Sequence, residues 1–286
     1  MKDVTEIYCF TDNIIKLIDG NSNKKGVGRP AELSPSEYVT LAILQQKMGI
    51  KTKKALHELV KEFMSKEFPK VPSYQQFCDG MSSTLAYFVF ISWVLSSMAR
   101  ENDSEYYVVD STPLYACNNN YRYRSKIFKG LAGSGKNMNG YFFGFKLHII
   151  INDNMEIVSL KITDGAANDL TTLLDENFIK DLKGWIVGDK GYVGAEKREK
   201  LLKKGVKLVT RFKAKMKKLP ATKHNNFLLT MRQSVESVFS YLKHHLSAVY
   251  KYARSAESYF VSVFSAIVIY MLEKHENIGF FAALIS

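Results

Sequence analysis

Apolar positions in the first part of the chain recur at intervals of three and four. Ile7, Phe10, Ile14, Leu17 and Ile18 predict an amphipathic helix over 1–20, closed by Gly20. The basic, glycine-rich run 21–30 reads as a linker, either a solvated loop or a segment that lies along phosphates. Ser34 and Glu37 have the spacing of a capping box, and Pro35 suits a first helical position. The helix they open carries Val39, Leu41, Ala42, Ile43 and Leu44 and stops near Gly49. A second helix over 53–64 follows after a tight turn, a pairing that resembles a helix-turn-helix. Lys51, Lys53, Lys54 and Lys61 would suit its backbone-contacting surface. SYQQF opens another helix. The apolar runs 85–98 and 259–272 fall short of the roughly 20 residues that span a bilayer, so both read as buried helices. No membrane span is expected, and the polar break at 100–105 marks a domain boundary.

From 106 onward the period changes from helix to strand. YYVVDSTP (106–113) is an aromatic and β-branched run that ends at Pro113, which places Asp110 near a strand terminus. Strands over 141–151 and 155–163 are joined by the turn residues NDN, which predicts a hairpin. A helix over 169–182 has Asp169 as its N-cap. GWIVGDKGY (184–192) is a further strand running into Asp189 and a glycine turn. A charged helix over 194–204, a strand KLVTRF, a basic stretch 213–223, a helix holding RQSVESVFSYLK and a last helix over 256–273 complete the chain. Three antiparallel strands followed by two right-handed crossovers give an α/β fold, a mixed five-stranded sheet with helices on its faces. The crossover sets the Asp189 strand parallel to the Asp110 strand, with both aspartates at the end where open α/β sheets place their sites.

Charge changes the picture. Across 286 residues the formal net charge is +12, which points to a polyanionic partner, nucleic acid rather than membrane, against the plainer reading of a soluble basic protein. The stretch 115–137 reads as a loop in which tyrosines alternate with Arg122, Arg124, Lys126 and Lys129, a pattern suited to stacking on bases and neutralising phosphates. GLAGSGK within it has the wrong glycine spacing for a P-loop, and no helix follows its lysine. Cys9, Cys78 and Cys117 form neither a disulfide framework nor a zinc motif and read as free thiols in a reducing cytosol. The N-terminus has no signal-peptide pattern.

Two aspartates at strand ends and Glu236 on a later helix make a candidate divalent-metal site. Hard cations take oxygen ligands, and clustered carboxylates repel one another without a cation. The plainer alternatives are a turn capped by Asp110 with Ser111 and Thr112, and a Glu236 that only pairs with Arg232 at i, i+4. On an ideal helix Arg232, Glu236 and Lys243 fall within an arc of roughly 40°. Val235, Val238, Phe239, Leu242 and Leu246 form the adjoining apolar stripe. Lys190 and Tyr192 either touch a DNA backbone or pack the turn, and His148, His224, His244 and His245 read as surface or packing residues.

VVDSTP, GYFFGFKLHIII, VGDKGYVG and RQSVESVFSYLK, in this order, resemble the DDE transposases of bacterial insertion sequences over about residues 106–250. The resemblance implies a ribonuclease H-like catalytic domain over 106–286, preceded by a helical domain over 1–105. It implies Asp110, Asp189 and Glu236 as a triad holding two Mg²⁺ or Mn²⁺ ions. Arg232 and Lys243, on the side of Glu236, read as phosphate contacts, and Lys190, Arg122, Arg124, Lys126, Lys51, Lys53 and Lys54 are read as DNA contacts from their charge and position. Arg232, Glu236 and Lys243 match the last three positions of the family's helix signature, whereas its tyrosine position is Leu229 here. The segment 211–232 is too short for the insertion domain of some relatives. The implied activity is strand cleavage and transfer on double-stranded transposon ends and target DNA. It would be carried out by a homodimer or larger synaptic complex in the bacterial cytoplasm, at the nucleoid. A ribonuclease H-like nuclease without joining activity and a non-catalytic DNA-binding protein are the alternatives.

Overall fold

The computed structural model describes residues 4–19, 31–102, 104–137, 140–192, 194–210, 230–245 and 253–274. The chain divides into two units, one made of 1–94 with 242–286 and the other of 95–241. The division falls within a single helix, Leu85–Glu101.

The first unit is helical. It contains α1 (Val4–Asp19), α2 (Pro35–Lys47), α3 (Lys53–Phe63), α4 (Tyr74–Ser83), the first part of α5 (Leu85–Glu101) and a C-terminal helix, Ala256–Lys274. The expected capping box is present: Ser34 Oγ accepts from Glu37 N, and Glu37 returns the bond to Ser34 N at 2.6 Å. Ser73 and Gln76 cap α4 in the same way. Ala256–Lys274 packs on α2 and α4, whereas sequence order groups it with the sheet. Its length and composition would allow it to cross a bilayer, as would those of the run Tyr74–Glu101, contrary to the expectation that both fall short. In Ala256–Lys274, 78% of the apolar window is buried in the fold.

The second unit is built on a mixed sheet of six strands: β1 (Tyr106–Tyr115), β2 (Gly133–Asn137), β3 (Gly140–Asn152), β4 (Ile157–Asp164), β5 (Gly184–Gly188) and β6 (Val206–Thr210). β3 lies antiparallel to β1 on one edge and to β4 on the other, while β5 is parallel to both β1 and β6. The core order β4-β3-β1-β5-β6 is the expected ribonuclease H-like arrangement. β2 corrects the reading of 115–137 as a loop: its residues pair with 140–144 and lengthen the β3 edge beyond β4. The pairing depends on small residues. A Cβ at Gly144 would stand 2.1 Å from the Leu114 carbonyl oxygen, so only glycine lets β1 approach here.

The core of this unit joins Tyr107, Val109, Ile150 and Val158 of the sheet to Leu173, Phe178, Ile179 and Leu182 of the crossover. That crossover is mostly turns. Its helix α6 covers only Asp169–Leu173, where a helix over 169–182 is expected. Asp175 accounts for the early stop: its Oδ1 accepts from Asn177 N at 2.9 Å and its Oδ2 pairs with Lys161, so local and cross-chain bonds replace the helical ladder. Helix α7 (Ala195–Lys203) packs on β6, and helix α8 (Gln233–Ser240) packs on β1.

Candidate active site

β1 does not stop near Thr112 as expected: it pairs with β3 through Pro113 to Tyr115, so Asp110 is a half-buried carboxylate in mid-strand. Pro113 is tolerated because β5 pairs only with Tyr106–Val108, so the missing donor takes nothing from that neighbour. The Ser111 backbone N–H donates to Asp110 Oδ1 at 2.8 Å within the strand, so the alternative of a turn capped by Asp110 does not apply. The parallel pairing of β1 with β5 runs Tyr106–Trp185, Tyr107–Ile186 and Val108–Val187. Extending that register by two residues sets Asp189 beside Asp110. Gly188 precedes it because a Cβ there would lie 3.0 Å from the Tyr192 ring and 3.2 Å from Val109. Tyr192 closes the following 3-10 turn, with its N–H donating to the Asp189 carbonyl at 3.0 Å.

Helix α8 supplies the third group. Val235, Val238 and Phe239 are buried as the apolar stripe requires, which leaves Glu236 at the exposed margin. Arg232, at the N-terminus of α8, donates to Glu236 Oε1 at 2.6 Å and to Asp189 Oδ1 at 3.3 Å. The i, i+4 pair therefore exists, and the same guanidinium also draws in an aspartate from the sheet. Asp110 takes part electrostatically. Burial pushes its carboxyl up to about 6, Asp189 and Asp169 push the same way, and the Ser111 N–H and the Arg232 charge oppose them. Burial and the surrounding aspartates also raise the Tyr192 phenol well above its usual value. Tyr192 is 2% exposed, so it packs the turn and presents no surface to DNA.

The donor set suits a hard cation: carboxylate oxygens from three elements, with positive charge already drawn between two of them. Among the described residues no three His, Cys, Asp or Glu side chains are grouped so as to hold one ion, and Arg232 forms ion pairs with two of the three acids.

The basic candidates scatter. Arg124 and Lys126 are exposed on the loop before β2. Arg122 lies 4.6 Å over the Tyr123 ring and donates to its hydroxyl, and Tyr123 is 88% exposed. Lys51 is exposed, and Lys54 points outward with Glu58 at 3.8 Å. Lys53 departs from the expected surface role. Its ammonium donates to the Cys78 carbonyl and to Ser82 Oγ, and burial lowers its pKa. Lys243 belongs to the helical unit and lies in a π-helical turn, Tyr241–His245, so the 100° phase that aligns it with Glu236 does not extend through it. Lys190 lies in the turn after Asp189. His224, Leu229 and Leu246 lie outside the described residues, as do the side chains of His244 and His245.

Two residues acquire roles that sequence reading missed. Asn168, not Asp169, caps α6, accepting from Leu170 N and Thr171 N. Asp169 is thereby released to accept from Ser111 Oγ at 2.8 Å and Lys146 Nζ at 3.3 Å. His148 is fully buried, bonds Thr163 Oγ1 at 2.9 Å, and is driven down to about 4 by burial. The adjacent Asn-Asp pair was the only local signal, since either residue suits an N-cap.

Residues 100–256 match a family described as Transposase DDE domain. No curated protein sequence matches the chain. Among solved structures, the chain is similar to a piggyBac transposase synaptic complex with hairpin DNA, at 9% identity and a TM-score of 0.47, over 96% of this chain and 73% of that one. It is also similar to a Mos1 mariner paired-end complex with Mn, at 12% identity and a TM-score of 0.27, over 94% and 86%. A pre-cleavage Mos1 transpososome matches at 10% identity and a TM-score of 0.25, over 91% and 84%.

Proposed function

The chain belongs to the transposase DDE-domain family, and on that premise we propose that it cuts DNA at the ends of a mobile element and joins them to a target. Asp110, Asp189 and Glu236 are the carboxylates that perform this work. The observation that carries the reading is the guanidinium of Arg232 held between Asp189 and Glu236, beside a half-buried Asp110 whose carboxyl is raised to about 6. Such a cluster lacks positive charge, and one internal cation supplies part of it.

Asp110, Asp189 and Glu236 would hold two Mg²⁺ or Mn²⁺ ions. When bound, the ions supply activation of the attacking hydroxyl and charge stabilisation at the phosphorus. Asp110 would serve as a ligand in its ionised form, which its pKa of about 6 makes available at neutral pH. Arg232, released from the carboxylates, binds a phosphate of the DNA. Tyr192 and the apolar face of α8 keep the floor of the site dry. The loop carrying Arg122, Tyr123, Arg124 and Lys126 grips the strand through charge and stacking. The helical unit, with the α2–α3 hairpin and exposed Lys51 and Lys54, recognises the element's ends. Assembly of two or more copies brings a pair of ends together.

The test incubates the purified chain with labelled DNA from the borders of its element, a target plasmid and Mg²⁺ or Mn²⁺. Cut ends and joined product are expected, and both vanish in Asp110→Asn and Glu236→Gln while DNA binding persists. Cutting without joining would reduce the protein to a nuclease. Activity unchanged in both variants would remove the triad.

A further inference from the structure

We propose that Asp169 is a positioning residue of the transposase site, acting through Ser111 to hold the backbone that carries Asp110. The inference rests on the reading of Asp110 as a catalytic carboxylate.

Successive side chains on a strand leave from opposite faces, and the β1–β3 register sets Asp110 opposite Ile149 but Ser111 opposite His148. Ser111 is thus the residue through which the far side of the sheet can reach the part of β1 that carries Asp110. It uses both its donors there: its N–H goes to Asp110 Oδ1 at 2.8 Å, and its hydroxyl goes to Asp169 Oδ1 at 2.8 Å. Asp110 and Asp169 are tied to the two ends of one residue, so a rotation of the 110–111 peptide stretches one bond or the other.

Asp169 is itself held. Lys146 Nζ donates to its carboxylate at 3.3 Å and to the Ala167 carbonyl at 2.7 Å, fixing the approach to α6. Lys146 pairs across the ladder with Pro113, two residues beyond Ser111 and so on the same face. His148 Nδ1 lies 3.7 Å from Asp169 Oδ1, too far for a hydrogen bond. A Cβ on Gly191 would come within 3.7 Å of Asp169 Oδ2, so the carboxylate also borders the turn that follows Asp189. Because Asn168 has taken over the cap, Asp169 can serve this contact without costing α6 its N-terminus. One carboxylate therefore braces the β1 backbone next to Asp110 and borders the turn beyond Asp189, as outer residues behind metal-site ligands do. A purely structural role, an ion pair that staples α6 to β3 through Lys146, would not involve Ser111.

The experiment compares the full chain with Ser111→Ala, Asp169→Ala, the double variant and Asp169→Asn, using two readouts. The first is amide hydrogen exchange over 108–115 without DNA or divalent ion. The second is the strand-cleavage rate at saturating DNA. Each alanine variant is expected to speed exchange in that segment and to slow cleavage by about 10- to 100-fold. The double variant should be no slower than the worse single one. Asp169→Asn keeps an acceptor oxygen for Ser111 and should recover much of the rate. Unchanged exchange, wild-type cleavage by Ser111→Ala, or losses that multiply in the double variant would each overturn the inference. If Asp169→Ala does not fold, Ser111→Ala, which removes one hydroxyl, decides alone. A wild-type chain that cuts no DNA overturns the reading of Asp110 and this inference with it. A wild type that cuts, alongside a Ser111→Ala variant that cuts equally, overturns this inference only.

Discussion

The guanidinium of Arg232 reaches the carboxylate of Asp189 at 3.3 Å across 43 positions of sequence. That contact joins helix α8 to the sheet exactly where two acids from separate elements would otherwise repel. A guanidinium can serve this purpose because it presents several donors in a fixed plane.

Replacing Arg232 with alanine should leave Asp189 and Glu236 uncompensated. Both acids are partly exposed, so the cost in stability is about 1 kcal/mol or less. Added Mn²⁺ should restore more stability to this variant than it adds to the wild type, because the ion no longer competes with an internal cation. Thermal unfolding with and without Mn²⁺ measures both effects.

Asp110→Asn should stabilise the free protein while abolishing cleavage. The folded-state pKa of about 6 lies above the ordinary 3.8, so the native state binds the proton more tightly than the unfolded chain does. The stability that this proton confers is present below about pH 4 and is lost as pH rises through 6. At pH near 8 the asparagine variant should exceed the wild type by on the order of 2 kcal/mol, with the gap closing near pH 4. Urea unfolding at the two pH values provides the comparison.

His148 acts in the opposite direction. Its imidazole stays neutral in the fold down to about 4, whereas it protonates near 6.5 when unfolded. Its contribution is present above pH 6.5 and is lost as pH falls toward 4, where protons favour the unfolded chain. In His148→Gln the slope of stability against pH over this window should flatten, at a cost of about 1–3 kcal/mol at neutral pH from the disturbed Thr163 bond. Chemical denaturation across the window reads the slope.

The exposed loop before β2 yields a binding prediction. Arg124→Ala should weaken DNA binding whatever the sequence and lower the slope of log affinity against log salt by about 1. Tyr123→Ala should cost about 1–3 kcal/mol on unpaired DNA and less on a continuous duplex, since a stacked base must first leave its partner. Fluorescence anisotropy at several salt concentrations separates the two.

Local pattern made much of this legible. The aromatic and β-branched run YYVV, the Ser34–Glu37 capping box and the glycine turn after Asp189 are short-range signals; the strand, the cap and the turn form where they were expected, although the strand runs on past Thr112 to Tyr115. The early end of α6, the pairing of Gly133–Asn137 as a strand and the inward turn of Lys53 were not legible. Each depends on a partner far along the chain: Lys161 for Asp175, the first residues of β3 for β2, and Ser82 for Lys53.

Strand order and the place of Asp189 just beyond β5 follow from residue periodicity and from the handedness of crossovers, whereas the continuation of β1 past Asp110 to Tyr115 depends on its pairing with β3. Which charges meet does not follow from periodicity or handedness. Two neighbouring residues, Asn168 and Asp169, are equally able to cap a helix, and only the folded arrangement around Ser111 and Lys146 separates their roles. The physical reason is that backbone conformation is biased by near neighbours, whereas the partner of a polar side chain is chosen by whatever the completed sheet brings within about 3 Å.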